Sequence, residues 1–376
     1  IEKDASDVHL ISGIRPMLRI ARHLTPYEGC DNLTPEDMAD IYDYFIRGNI
    51  DKDAVFTQTK KLDSSFEFNG LRFRVNISLS GDVPVFTLRL IKNELPTFDE
   101  LGVPNIVRRM MYQPQGLVLV TGKTNSGKTT TLNALINEIN ETQNKKILTL
   151  ESPVEFKHKC KQSVIVQKEV GYGQDVLTYK DGVKNCLRED CDILVIGEIR
   201  DRETAEIAMQ AGQTGHYVLS TIHTIDAVEV ITRLRKIGIS DYDISSTLAT
   251  AISQRLVRKI CPNCRKERPF NDQEKKIITS IGEKYGIKYD LDNAVTYDAV
   301  GCAKCNHSGY AGRIACFEIL NLDEETKELI MNGASSIEIR KCALKGTYRP
   351  LLVDGINKVV KGITTLDELN RKLRVF

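Results

Sequence analysis

The residues with the plainest chemistry lie between Gly116 and Thr131, G-L-V-L-V-T-G-K-T-N-S-G-K-T-T-T. Gly122 to Thr129 fits G-x-x-x-x-G-K-[ST], a phosphate-binding loop. A triphosphate crowds negative charge onto neighbouring oxygens. Glycines at Gly122 and Gly127 let the loop through Thr124, Asn125 and Ser126 wrap those oxygens with backbone N–H groups at a helix start. Lys128 reaches the β- and γ-phosphates, the Thr129 hydroxyl is placed to ligate Mg2+, and Thr130 is expected among the nucleotide-binding residues. ATP and Mg2+ are therefore expected. Such a loop needs a strand to deliver it and a helix to receive it. The apolar run Leu117 to Val120 and the helix-like T-L-N-A-L-I-N-E-I after the loop supply both.

Other candidates follow along the chain. The apolar run from Ile193 to Gly197 delivers Glu198 to a strand end, where a carboxylate can hold Mg2+ through water or orient an attacking water. Asp201 reads as the cap of the next helix. Glu151 and Glu155 flank Pro153 after the strand Ile147 to Glu151, and a charged loop would account for them equally. His216 and His223 bracket the strand Tyr217 to Thr221 near its opposite ends; phosphate contact and a purely structural role both fit.

Phe66 to Ile77 reads as a hairpin turning at Asn69-Gly70. Alternation puts Leu71, Phe73, Val75 and Ile77 on one face and Arg72, Arg74 and Asn76 on the other, with Arg89 similarly opposed to Phe86, Leu88 and Leu90. The sheet is thus expected to present guanidinium groups on an open face, which spacing alone explains as a solvated one. Cys261-Pro-Asn-Cys264 and Cys302-Ala-Lys-Cys305 form two C-x2-C pairs with tetrahedral Zn2+ spacing; reduced thiols or a redox pair are the alternatives. Cys30, Cys160, Cys186, Cys191, Cys316 and Cys342 lack such spacing and read as core or incidental residues.

Composition bounds these readings. The chain has 376 residues, 41% hydrophobic and 27% charged, with 52 basic against 51 acidic side chains. This balance gives no global basic field, and Gln254 to Lys259 is the one notable basic cluster, so no direct nucleic-acid contact is expected. No apolar run reaches the roughly 18 residues of a membrane span, and no signal peptide is visible. Ten cysteines without a secretory signal favour a reducing compartment. The first residue is Ile1 rather than Met, and the chain is expected to begin inside a longer one.

Residues 1–92 read as an α+β domain, with a helix starting at Thr34-Pro35. Residues 93–96 read as a linker, and Thr97 with Glu100 as a capping box. Residues 97–376 alternate strand and helix as a nucleotide-binding α/β domain with a largely parallel sheet. Within it, 261–312 form the tetracysteine subdomain and 313–376 are expected to be helical, with capping boxes at Ser335/Glu338 and Thr365/Glu368.

Taken together the motifs resemble the secretion ATPase superfamily, which serves type IV pili and type II secretion. A-S-D-V-H-L and R-F-R-V-N are similar to its N-terminal domain, L-T-L-E-S-P-V-E to its Asp box, V-I-G-E-I-R-D-R-E-T-A to its Walker B and T-G-H-Y-V-L-S-T-I-H-T to its His box. Q-R-L-V-R-K-I-C-P-N-C and G-C-A-K-C-N-H-S-G-Y-A-G-R are similar to its tetracysteine region. The resemblance implies a RecA-like P-loop NTPase domain carrying a zinc-binding insertion and a smaller, PAS-like N-terminal domain. It also implies a ring homohexamer working on an inner-membrane platform protein, cytoplasmic and peripheral to the membrane's inner face.

On that resemblance Glu151 positions or deprotonates the water, Glu198 serves Mg2+ and water, His216 and His223 line the site, and Arg72, Arg74 and Arg89 act as arginine fingers on a neighbouring subunit's γ-phosphate. Ser152, Lys123, Asn125 and Cys191 depart from the family pattern, where Asp, Pro, Gly and Pro are usual. The four cysteines resemble the assembly and type II secretion branch, and Arg188-Glu189-Asp190 the retraction branch. The competing reading from another class is a RecA-like nucleic-acid motor.

Overall fold

The computed structural model describes residues 5–20, 23–46, 49–91, 95–172 and 174–374. Linker positions 93 and 94 lie outside them. In chain order the strands are β1 (Asp7–Leu10), β2 (Met17–Ile20), β3 (His23–Pro26), β4 (Lys61–Phe68), β5 (Leu71–Ser80), β6 (Val83–Ile91), β7 (Gly116–Thr121) and β8 (Lys146–Glu151). There follow β9 (Val164–Glu169), β10 (Ile193–Ile196), β11 (Tyr217–Ile222), β12 (Leu248–Ile260), β13 (Arg265–Pro269), β14 (Val295–Ala299) and β15 (Tyr310–Asn321). No helix among the described residues is long and apolar enough to cross a membrane.

The chain forms two compact units, Ile1–Leu95 with Lys146–Cys191, and Pro96–Lys145 with Asp192–Phe376. The first boundary falls between Leu95 and Pro96, and Lys146–Cys191 groups with the N-terminal residues. Side chains explain this: Glu169 on β9 accepts from Arg72 at 2.6 Å and from Ser65 at 2.7 Å, and Lys157 reaches Glu67 at 2.7 Å.

In the first unit an antiparallel sheet runs β3-β2-β1-β6-β5-β4. Asn69 (φ 49°) and Gly70 (φ 72°) make the expected turn between β4 and β5. Met38, Val75, Ile77 and Phe86 fill the core beneath. Helix Pro35–Ile46 starts as expected, the Thr34 hydroxyl and the Asp37 carboxylate capping each other's backbone N–H. Strands β8 and β9 pair in parallel.

In the second unit the sheet runs β15-β12-β7-β11-β10, parallel except for β15 at the edge. β7 and β11 are buried along their whole length, as a central parallel strand requires. The chain after Arg313 is not helical from the outset. Tyr310–Asn321 is the long strand β15 paired antiparallel to β12, and helices resume at Glu324. Its run I-A-C-F-E-I-L is apolar on both faces, a pattern shared by buried strands and buried helices.

Capping boxes form at Thr97/Glu100 and Ser335/Glu338. At Thr365/Glu368 only half of one forms. Thr365 accepts from the Glu368 N–H, while the Glu368 carboxylate turns to Arg258 and Arg371.

Candidate functional site

Strand β7 ends at Thr121 and passes directly into the glycine loop. Gly122 (φ 154°), Asn125 (φ 62°) and Gly127 (φ 87°) hold backbone conformations open to glycine and tolerated by asparagine, so Asn125 does the work of a third glycine. A Cβ at Gly122 would lie 2.4 Å from the Ser126 Oγ and 2.7 Å from the Gln254 carbonyl oxygen. Helix Lys128–Thr142 begins at Gly127 without a side-chain cap, so its first N–H groups are not consumed by a neighbouring side chain.

Three of the expected side chains, Lys128, His223 and Glu198, meet beside this loop. The Lys128 ammonium donates to the Gly122 carbonyl at 3.2 Å and lies 3.4 Å from His223 Nδ1. His223 Nε2 lies 2.8 Å from one Glu198 oxygen, and Arg200 donates to the other at 2.8 Å. An ammonium can only donate. His223 Nδ1 therefore accepts, and the ring carries its proton on Nε2, facing Glu198. Burial pushes the Lys128 ammonium below the usual lysine range, partly countered by Glu198 and reinforced by Arg255.

Neighbouring groups pin the elements. Thr121 and Thr224 hydroxyls are 2.7 Å apart, tying the ends of β7 and β11. Asp201 caps helix Arg202–Gln213 through Thr204 N, as expected. His216 lies away from this group: its carbonyl accepts from Gly116 N, at the opening residue of β7, and its ring faces the Ala211 carbonyl. The side chains of Thr129 and Glu198 offer oxygens of the kind that Mg2+ takes.

In the first unit Glu151 closes β8, 5% exposed, and accepts from Thr149 at 2.8 Å and Gln167 at 3.2 Å. Burial raises its carboxyl above the ordinary range against the pull of those two donors. The arginine face departs from its expected openness at one position: Arg72 is buried on Glu169 because Ser65 and Glu169 close over it. Pairing sets Arg74 beside Arg89, Arg89 beside Asp7 and Asp7 beside Arg19 in one row across four strands. Within the row the buried Asp7 accepts from Arg89 at 2.8 Å, yet the Arg89 side chain remains 64% exposed.

The four paired cysteines converge. All Sγ atoms of Cys261, Cys264, Cys302 and Cys305 lie within 4.8 Å of one another. The Cys264–Cys305 and Cys302–Cys305 sulfur separations are both 3.8 Å, matching the roughly 3.8 Å edge of a Zn–S tetrahedron. Backbone N–H groups of Gly301, Cys302 and Gly309 point at Cys264 and Cys305 sulfurs, as around thiolates. Of the remaining cysteines, Cys316 and Cys342 are buried, as a core reading expects. Cys186 and Cys191, by contrast, form a disulfide at 2.03 Å, because the four-residue turn 187–190 folds the chain back on the end of helix Tyr179–Cys186.

Sequence reasoning passed over Gln254, Arg255 and Glu318. Gln254 donates to the Ser126 carbonyl, Arg255 to Ile225, and the buried Glu318 accepts from Ala227 N and Tyr348. All sit on β12 or β15; the sequence marks Gln254 and Arg255 only as part of a basic cluster beside the cysteines, with no link to the glycine loop.

The family model described as type II/IV secretion system protein matches residues 58–371. The type II secretion system protein E of Aeromonas hydrophila is 40% identical over 72% of the chain and 51% of its own length. The type IV pilus assembly ATPase PilB of Thermus thermophilus is 32% identical over 98% of the chain and 41% of its own length. The chain thus spans about half the length of the curated relatives it matches. A crystal structure of the pilus retraction motor PilT with bound ADP superposes with a TM-score of 0.76 at 29% identity, covering 98% of this chain and 92% of that one. With a family match running from the arginine strands to the last helix, the chain belongs to the type II/IV secretion system protein family.

Proposed function

We infer that the protein is the ATP-hydrolysing motor of a type IV pilus assembly or type II secretion machine. The observation that carries this reading is the contact chain from Lys128 through His223 to Glu198 beside an uncapped glycine loop. Lys128 binds the β- and γ-phosphates, and Glu198 orients the attacking water. Thr129 and Glu198 hold Mg2+, which when bound offsets charge on the phosphate oxygens. His223 joins the lysine to the carboxylate and so registers whether a γ-phosphate is present. The resemblance to the family gives Glu151 the role of positioning or deprotonating the water.

In this reading the working form is a homohexamer, and Arg74 and Arg89 reach a phosphate held by the adjacent subunit. Arg72 serves there only after leaving Glu169. The tetracysteine cluster holds a structural Zn2+, and the motor acts from the cytoplasmic face of the membrane on an inner-membrane platform protein. The likeness to a retraction motor over nearly the whole chain favours retraction as the second reading. The cysteine cluster favours assembly or secretion.

Purified protein with Mg2+ and ATP is expected to turn over, to assemble six-fold with an ATP analogue, and to carry about one equivalent of zinc. Lys128→Ala is expected to abolish turnover. Binding of ATP without hydrolysis in the unmodified protein would overturn the motor reading; strong stimulation by DNA that fades with salt would favour a nucleic-acid motor.

A further inference from the structure

Strand β12 runs parallel to β7, with Ser253 opposite Thr121, so residue 254 stands beside the point where β7 becomes the glycine loop. Gln254 is 1% exposed. Its Nε2 donates to the Ser126 carbonyl at 2.6 Å, and its backbone presses on Gly122 closely enough to exclude a Cβ. At Gly127 a Cβ would stand 3.1 Å from Gln254 Nε2. One residue thus abuts both ends of the loop, its backbone at Gly122 and its side chain at Gly127. Nothing local in the fold requires an amide here. Among the described residues the Gln254 Oε1 is buried without a hydrogen-bond partner, an atom that a leucine or methionine would not bring.

A planar trans peptide points its C=O and N–H in opposite directions. Holding the Ser126 carbonyl against β12 therefore aims the Gly127 N–H the other way, into the cradle that faces the phosphates. The glycine at 127 leaves this peptide free to rotate. Rotated, it would present an oxygen to the triphosphate. We propose that Gln254 is a positioning residue for nucleotide binding, locking the Ser126–Gly127 peptide with its N–H toward the phosphates. This rests on the phosphate-loop reading and adds a residue outside the loop on which affinity depends.

The test measures binding of a fluorescent ADP analogue, with Mg2+, to the whole chain. Gln254→Met keeps length and burial but cannot donate; it is expected to weaken binding about tenfold. Saturated turnover is expected to stay within about threefold, because the contact acts on binding. Gln254→Glu supplies a second readout that a packing role would not move. As a carboxylate it repels the Ser126 carbonyl, and as the acid it donates to it. Its affinity deficit relative to the unmodified protein is expected to shrink as pH falls from 8 to 6. Equal affinity of Gln254→Met and the unmodified protein, or a pH-independent deficit in Gln254→Glu, overturns the proposal. If the unmodified protein binds no nucleotide, the phosphate-loop reading fails first, and the two failures are told apart.

Discussion

The ends of β8 and β10 carry the same residue in opposite company. Glu198 follows β10 with its side chain 18% exposed, held between His223 and Arg200. Glu151 closes β8 at 5% exposure and accepts from neutral donors, Thr149 and Gln167 among them. Both follow apolar runs, and one residue type at one kind of strand end acquires two different chemistries from its partners. The Glu198 carboxylate accepts from a guanidinium on one oxygen and faces a ring N–H with the other, which suits it to hold metal and water. A carboxylate among neutral donors in a buried place leans toward the proton and can act as a base.

The largest effect is expected from removing charge at the first of these. Glu198→Gln keeps an oxygen to accept from His223 but loses the anion, and kcat for ATP is expected to fall at least about a hundredfold while KM changes by less than about threefold. Steady-state hydrolysis measures both. A loss confined to KM would make Glu198 a binding group and erase the contrast in roles.

A third acid sharpens the comparison, as buried as Glu151 but with different partners. Glu368 is 1% exposed, like Glu151, but accepts from Arg258 at 2.7 Å and from Arg371 at 2.6 Å. Burial alone would raise its carboxyl. Arg371 and Arg258 outweigh that and bring it down to about 2. With a depressed value in the fold, its contribution is fully present above the unfolded value near 4.5 and is lost as pH falls toward 2. Both arginines are partly exposed, so Glu368→Gln is expected to cost about 2 kcal/mol at pH 7, some 5 °C of melting temperature. The deficit should close between pH 4.5 and 2.5. Thermal melts over that range check it; a deficit unchanged at pH 2.5 would mean that packing, not charge, is at stake.

These three acids also mark what the chain discloses before it folds. Glu198 stands out because an apolar run followed by an acid, downstream of a glycine loop, has few other readings. The glycine loop, the Asn69-Gly70 turn and the two C-x2-C pairs are local patterns whose geometry is dictated by neighbours in sequence. Spacing puts Glu368 in a capping box, three residues after Thr365. Its carboxylate goes instead to Arg258, 110 residues away, a contact only the packing of helix Leu366–Leu373 on β12 creates. Gln254 was invisible for the same reason: its partner Ser126 lies 128 residues away. Grouping of Lys146–Cys191 with the N-terminal strands rests on Arg72 and Glu169, neither distinctive alone. Spacing also hid the Cys186–Cys191 bond, since x4 between cysteines has no single meaning.

The smallest expected effect decides what Glu151 is for. A carboxyl whose value is raised in the fold gives its greatest stability below the unfolded value; stability declines as pH rises from there through the raised value, because the fold resists the charge. Glu151→Gln removes that charge and keeps an oxygen for Thr149 and Gln167. At pH 8 the variant is expected to be more stable by about 1 kcal/mol, with the two melting curves converging toward pH 4.5. The same substitution removes the proposed base, so turnover should fall as stability rises, the usual sign of a group kept at a cost for its function. Melting and hydrolysis measured together across pH separate the cases. Higher stability with unchanged turnover would leave Glu151 an inert buried acid, and lower stability at pH 8 would show that its neutral donors hold the charged form after all, collapsing the difference between the two strand ends.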